Sequence, residues 1–268
     1  MKPILFSIGD LNIYSYGLCY ALALIVGLFL AEYRAKKHGL DHEFIFSMGF
    51  IAIILGVVCA KLLYLITIAD QLFADFWNVL KNSISEGFVV YGGIIGAALT
   101  AIIYCRIKKK SFLEYFDIAA PSIAIGQAIG RVGCLLAGCC YGSPTDAWYG
   151  ITFPEGAAAP VGVSLYPTQP LSTIFNLINF GVLLFAYKKF KRAGQTFALY
   201  MINYGVGRFL IEFIRDDYRG EVGIFSTSQF ISLFVVILGV ILMFTAKPKA
   251  AATDTPEQIL EDEINAEN

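Results

Sequence analysis

A chain of 268 residues that is 57% hydrophobic and only 15% charged, with a mean hydropathy of +0.66, carries more apolar surface than one soluble core can bury; soluble domains hold about 25% charged residues. A net charge of −1 gives no global sign of nucleic-acid binding, which draws on a broad basic surface. The six cysteines, Cys19, Cys59, Cys105, Cys134, Cys139 and Cys140, lie in or beside apolar runs, which argues against a disulfide-stapled secreted domain.

The apolar residues fall into seven runs of membrane-crossing length. In chain order they predict helices over 16–33, 43–69, 88–105, 116–138, 171–188, 196–214 and 227–244. Residues 1–12 contain Pro3, Gly9 and Asp10 and lack the continuous apolar core of a cleavable signal, so the first run is expected to stay as a span. The fourth run carries Gly126, Gly130 and Gly133, which count against its continuity. Backbone groups in lipid must be satisfied within each segment, so the expected fold class is all-α and polytopic, with about seven transmembrane helices. Residues 139–170 form the longest connection; rich in Gly, Pro and Ala, they read as an irregular external cap. Residues 249–268 read as a short, acidic, disordered cytoplasmic tail, leaving 1–248 as one membrane domain.

Orientation follows from Lys and Arg placement. Arg34, Lys36 and Lys37 follow span 1. Arg106, Lys108, Lys109 and Lys110 follow span 3. Lys188, Lys189, Lys191 and Arg192 follow span 5, and Lys247 and Lys249 follow span 7. The alternate connections hold only Lys2, Lys81, Arg215 and Arg219. The N-terminus is therefore expected outside and the C-terminus in the cytoplasm.

Ionisable side chains inside spans are costly and mark function by default. Lys61, Arg131, Arg208 and Glu212 stand out. At about 1.5 Å rise per residue, Lys61 sits within about 12 Å of the outer end of its span, Arg131 about 11 Å and Arg208 about 9 Å; Tyr16 and Tyr91 begin outer ends. The inner halves of the spans, by contrast, read as almost wholly apolar. Arg208, Glu212 and Arg215 are spaced to share a helix face. They form either an ion-pair ladder that eases insertion or an anion site tuned by Glu212. Around Arg131, the glycines Gly130, Gly133, Gly138 and Gly142 permit close helix packing, expected at Gly126 and Gly130, or close approach of backbone to a ligand. An arginine there suits a phosphate, because its planar fork donates two parallel hydrogen bonds.

The segment Gly130-Arg-Val-Gly-Cys-Leu-Leu-Ala-Gly-Cys-Cys-Tyr-Gly142 resembles the signature of the prolipoprotein diacylglyceryl transferases, in a cysteine-rich form. Tyr14-Ser-Tyr-Gly17, Lys61-Leu-Leu-Tyr64, Tyr91-Gly-Gly93, Tyr166-Pro-Thr-Gln169 and Gly207-Arg-Phe-Leu-Ile-Glu-Phe-Ile-Arg215 resemble further motifs of that family, in family order. The resemblance implies a bacterial inner-membrane enzyme that transfers the diacylglyceryl group of phosphatidylglycerol to the lipobox cysteine of a prolipoprotein, releasing glycerol phosphate. It implies that Arg131, Arg208 and Glu212 are catalytic. Tyr16, Lys61, Tyr91, Gly92, Gly93, Gly133, Gly138 and Arg215, with Arg131 again, would bind substrate. No cofactor, metal or nucleic acid is expected; the partners are phosphatidylglycerol, the precursor's signal peptide with its lipobox cysteine, and the membrane. Where the family often has histidine before the Gly-Gly of span 3, this chain has Tyr91, and its histidines, His38 and His42, fall near the cytoplasmic first loop.

In this chemistry Glu212 either orients Arg208 or accepts the thiol proton, and Tyr16 and Tyr91 either contact the headgroup or anchor at the interface. Cys134, Cys139 and Cys140 lack a fourth ligand for zinc and read as small packing residues. The rival readings are a non-catalytic lipid-binding relative and an anion transporter, which would need polar residues through both leaflets.

Overall fold

The computed structural model describes residues 2–8, 11–70, 77, 87–217 and 220–248. Seven helices among them are long and apolar enough to cross a membrane: α1 (Ser15–Lys37), α2 (His42–Thr67), α3 (Val90–Ile107), α4 (Phe112–Ala137), α5 (Thr168–Lys189), α6 (Gln195–Ile211) and α7 (Thr227–Thr245). The all-α, multi-pass reading is thus correct. Lys81, Arg219 and the tail 249–268 lie outside the described residues.

Two of the differences from the expected elements concern α1 and α4. A short antiparallel hairpin, β1 (Ile4–Ile8) and β2 (Leu11–Tyr14), precedes α1. It is tied to the helix by Ser15, fully buried, whose N–H donates to the carbonyl of Pro3 at 2.9 Å. The second difference is that α4 runs unbroken through its glycines and through Pro121. Proline is tolerated within a span when neighbouring groups satisfy the freed backbone.

Large apolar side chains stay exposed along the helices, as at Ile178 (61%), Leu210 (60%) and Phe244 (78%). Such surface is at rest in acyl chains and would be costly in water.

Contacts divide the described residues into two compact units, one from Met1–Arg34 with Leu113–Asn268, the other from Ala35–Phe112. In the larger unit Asp117 is fully buried and accepts from the backbone N–H groups of Gly194 and Phe197, both at 2.8 Å. These are orphan donors at the start of α6, and a carboxylate is the fitting partner there. Helix α7 starts with a reciprocal cap in which Ser226 and Gln229 each bind the other's backbone N–H. Helices α6 and α7 approach closely where Gly205 meets Val236 and Gly239 meets Ile202 and the Ala198 carbonyl. Arg34, counted from sequence among the basic residues after span 1, lies inside α1 and is 5% exposed. It donates to the Ile118 carbonyl at 3.0 Å and stands 5.2 Å over the Tyr187 ring.

The spans also hold buried polar groups that pair across helices. Gln127 of α4 donates to the Tyr200 hydroxyl at 2.9 Å, and Asn203 of α6 donates to Asn179 of α5 at 2.8 Å. Ser122, Asp117 and Thr196 are buried in the same unit. Inter-helix hydrogen bonds of this kind join spans in lipid, and sequence hydropathy averages over them.

In the smaller unit α2 packs along α3. A Cβ at Gly92 would stand 2.6 Å from the Cys59 carbonyl, and one at Gly96 would stand 2.5 Å from the Cys59 Cβ; Gly56 and Gly93 face each other's carbonyls. Asp41 caps α2, accepting from the Phe44 N–H at 2.9 Å, and pairs with Lys110 at 3.2 Å.

Candidate functional site

Helix α6 carries Arg208 into its last turn and then tightens into a 3-10 turn, Glu212–Ile214, before Arg215 leaves in an extended conformation. The expected single α-helical stripe therefore ends at Glu212. Arg215 instead forms a β-bridge with Gly142, and the Ser143 N–H donates to the Ile214 carbonyl at 2.9 Å. A Cβ at Gly142 would stand 2.6 Å from Tyr166 Cβ and 2.7 Å from the Ile214 oxygen, so only glycine lets these strands meet.

The charges are nonetheless brought together. Arg208 Nη1 lies 2.7 Å from Glu212 Oε2, a close ion contact without hydrogen-bond alignment. Arg208 Nη2 donates to Ser228 Oγ at 2.6 Å, and Ser226 Oγ donates to Glu212 Oε1 at 2.9 Å. Arg215 reaches Glu212 at 3.7 Å and grips Asp217 through two bonds of 2.8 and 2.6 Å. Two guanidiniums thus meet two carboxylates. Arg131, from α4, has no salt-bridge partner among the described residues.

Arg131 and Arg208 line one cavity of about 330 Å³. Ser172, Asn176 and Tyr204 share its wall, and Leu171, Phe175, Val206, Leu210, Ile211 and Ile214 make the rest apolar. Asn176 is 6% exposed; its amide donates to the Ser172 carbonyl at 2.8 Å, while its Oδ1 has no partner among the described residues. Gly207 has no room for a side chain, since a Cβ would stand 2.5 Å from the Phe175 ring. Ser226, Ser228, Asp217 and Asn176 escaped sequence reading because neutral or loop residues give no intramembrane-charge signal.

Gly133 serves packing: a Cβ there would lie 2.8 Å from Cys19 Cβ and 3.6 Å from Tyr16 Cα. Gly126 likewise abuts the Ala23 carbonyl at 3.2 Å, whereas Gly130, expected to pack, faces open space. Gly138, at φ +72°, ends α4 against Ala157. Residues 139–167 are irregular and enclose a small core of Phe153, Ala159 and Leu165; the last three residues of the expected loop already belong to α5. The Tyr166-Pro-Thr-Gln169 motif pins the start of this loop, with Thr168 donating to the Cys140 carbonyl at 2.6 Å and Gln169 to the Cys139 carbonyl at 2.8 Å. Hydrogen bonding with the Cys134 and Cys139 thiols holds the Cys140 thiol below its ordinary range, with Arg215 and Arg131 acting in the same direction. Tyr16 is 41% exposed and stacks on Tyr20.

Lys61, Tyr91, Gly92 and Gly93 belong to the smaller unit. There Lys61 donates to the Gly87 carbonyl at 3.3 Å and lies 4.8 Å over the Phe88 ring; Tyr91 is 41% exposed. Gly92 and Gly93 sit in the α2–α3 contact described above.

Fold and site together define a multi-pass membrane protein with a mostly apolar cavity between helices into which two arginines are built. A family model for prolipoprotein diacylglyceryl transferase matches residues 3–245. The chain is 43% identical to the phosphatidylglycerol–prolipoprotein diacylglyceryl transferase of Clostridium tetani over 90% of its own length and 96% of that protein. It is 43% identical to transferase 2 of Clostridium perfringens, over 90% and 94%, and 32% identical to the Listeria innocua transferase, over 98% and 95%. The chain belongs to the prolipoprotein diacylglyceryl transferase family.

Proposed function

We propose that this protein transfers the diacylglyceryl group of phosphatidylglycerol to the lipobox cysteine thiol of prolipoproteins in the bacterial cytoplasmic membrane, with its N-terminus outside. One observation carries the reading: Arg131 and Arg208, from two helices, line a single cavity whose remaining wall is mostly apolar. That wall suits acyl chains, and the two guanidiniums suit the phosphodiester between them.

The thiol, with an ordinary pKa near 8.5, attacks as thiolate. Its sulfur forms a bond to the terminal glycerol carbon of the diacylglyceryl group. The bond from that carbon to the phosphate oxygen breaks, and the electron pair leaves on glycerol phosphate. Negative charge on the departing phosphate grows in the transition state, where Arg131 and Arg208 stabilise it. Glu212, held by Ser226, keeps Arg208 in place. The open Oδ1 of Asn176 accepts from a headgroup glycerol hydroxyl. Holding lipid and lipid-proximal peptide in one cavity supplies much of the remaining acceleration.

Complementation of a transferase-depleted strain tests the reading. Wild-type protein rescues growth and lipoprotein lipidation, and Arg131→Ala and Arg208→Ala do not, at equal membrane levels. A well-inserted wild type that fails to lipidate any precursor would count against it.

A further inference from the structure

The cysteines of the glycine-rich segment read from their spacing as packing residues, yet the fold gathers three of them. The Sγ atoms of Cys134, Cys139 and Cys140 all lie within 4.8 Å of one another. Cys134 sits in the last turn of α4 and is 8% exposed. Gly138 then turns the chain back in the left-handed region, and the Cys139 N–H donates to the Cys134 carbonyl at 3.1 Å. Cys140 itself has φ +61°, a conformation that costs a non-glycine residue about 1 kcal/mol or more and favours glycine or asparagine. A cysteine in that place returns its sulfur toward the other two.

The loop is held by bonds that do not involve sulfur. The carbonyls of Cys139 and Cys140 are clamped by Gln169 and Thr168, which are 1% and 2% exposed, and Gly142 is wedged between Tyr166 and Ile214. The three thiols are thus arranged in advance of any ligand, which lowers the cost of binding one.

We propose that Cys134, Cys139 and Cys140 form a three-thiolate site for a soft, thiophilic cation of the monovalent copper class. Metal–sulfur bonds of about 2.3 Å place three sulfurs about 4 Å apart in a trigonal site, so the observed cluster needs to close by less than about 1 Å. An all-sulfur donor set selects soft ions, and structural zinc takes a fourth protein ligand that the cluster does not offer among the described residues. Three thiolates and a monovalent ion carry net negative charge, and Arg131, three residues before Cys134 on α4, lies on a neighbouring part of the helix face. Arg131 borders the lipid cavity as well, but none of the three cysteines lines it, so the proposal stands whether or not the transferase reading does.

The test uses the full-length chain in detergent, fully reduced and without oxygen, titrated with monovalent copper against a competing chelator. One copper per chain is expected. Alkylation mass spectrometry of the wild type should show labelling of Cys134, Cys139 and Cys140 falling about tenfold on loading, with Cys59 and Cys105 unchanged. Cys134→Ser and Cys140→Ser should each lose the ion, and Cys59→Ser should keep it. Any of four outcomes overturns the proposal: no uptake by the reduced wild type, protection of other cysteines instead, retention of the ion by Cys134→Ser, or tighter binding of zinc than of copper. The wild-type footprint decides the matter even where a variant fails to fold.

Discussion

Replacing Arg131 by alanine separates catalysis from folding. A charge-assisted hydrogen bond contributes about 1.5–3 kcal/mol, and a guanidinium can give a phosphate two in parallel. Losing both from the transition state costs about 3–6 kcal/mol, or about 10²- to 10⁴-fold in rate. Arg131 has no salt-bridge partner among the described residues, so its removal strands no buried carboxylate and thermal stability should hardly change. Arg208→Ala makes the contrast, because it leaves Glu212, whose side chain is 7% exposed, without its closest cation. Stranding a buried charge costs about 3–5 kcal/mol of stability in addition to the lost activity. The assay is transfer from phosphatidylglycerol in mixed micelles to a fluorescent lipobox peptide, with intrinsic-fluorescence melting in parallel. Arg131→Lys, which keeps the charge but not the fork, should fall between wild type and alanine. An Arg131→Ala protein within about threefold of wild-type kcat/KM, equally stable, would refute the assignment of the phosphate to this side chain.

Gly133→Ala should lower the melting temperature, by about 1–3 kcal/mol of overpacking against Cys19, whereas Gly130→Ala, facing open space, should melt as wild type does. Thr168→Val leaves the Cys140 carbonyl without its donor; a cost of about 1–3 kcal/mol, read as lower thermal stability with faster proteolysis within 139–170, is expected. Asp41 is held below the ordinary carboxylate range, chiefly by the Phe44 N–H and further by Lys110. A depressed carboxylate stabilises fully above its unfolded value of about 3.9 and loses that contribution as pH falls through its folded value. Asp41→Ala should therefore cost about 0.5–1 kcal/mol at neutral pH, the lower part of the capping range because the side chain is two-fifths exposed. Melting curves of the two proteins should converge in strong acid, and a gap that widened there would reject the cap.

The seven spans were legible in the amino-acid sequence because a bilayer demands about 20 apolar residues per crossing, and that signal is local and one-dimensional. Arg131, Arg208 and Glu212 stood out as candidates by a similar signal, since charge at membrane depth is expensive wherever it occurs. The pairings depended on the tertiary structure. That Arg215 turns away to Asp217 and Gly142 follows from a 3-10 turn that no spacing announces. The fate of each glycine was equally hidden, because packing at Gly133 and open space at Gly130 depend on which helix comes alongside. Asn176, the Thr168–Gln169 clamp and the meeting of three sulfurs arise from residues far apart in the chain or from one left-handed backbone angle. Hydropathy and periodicity report the environment a segment needs, whereas partners are chosen only when the helices assemble.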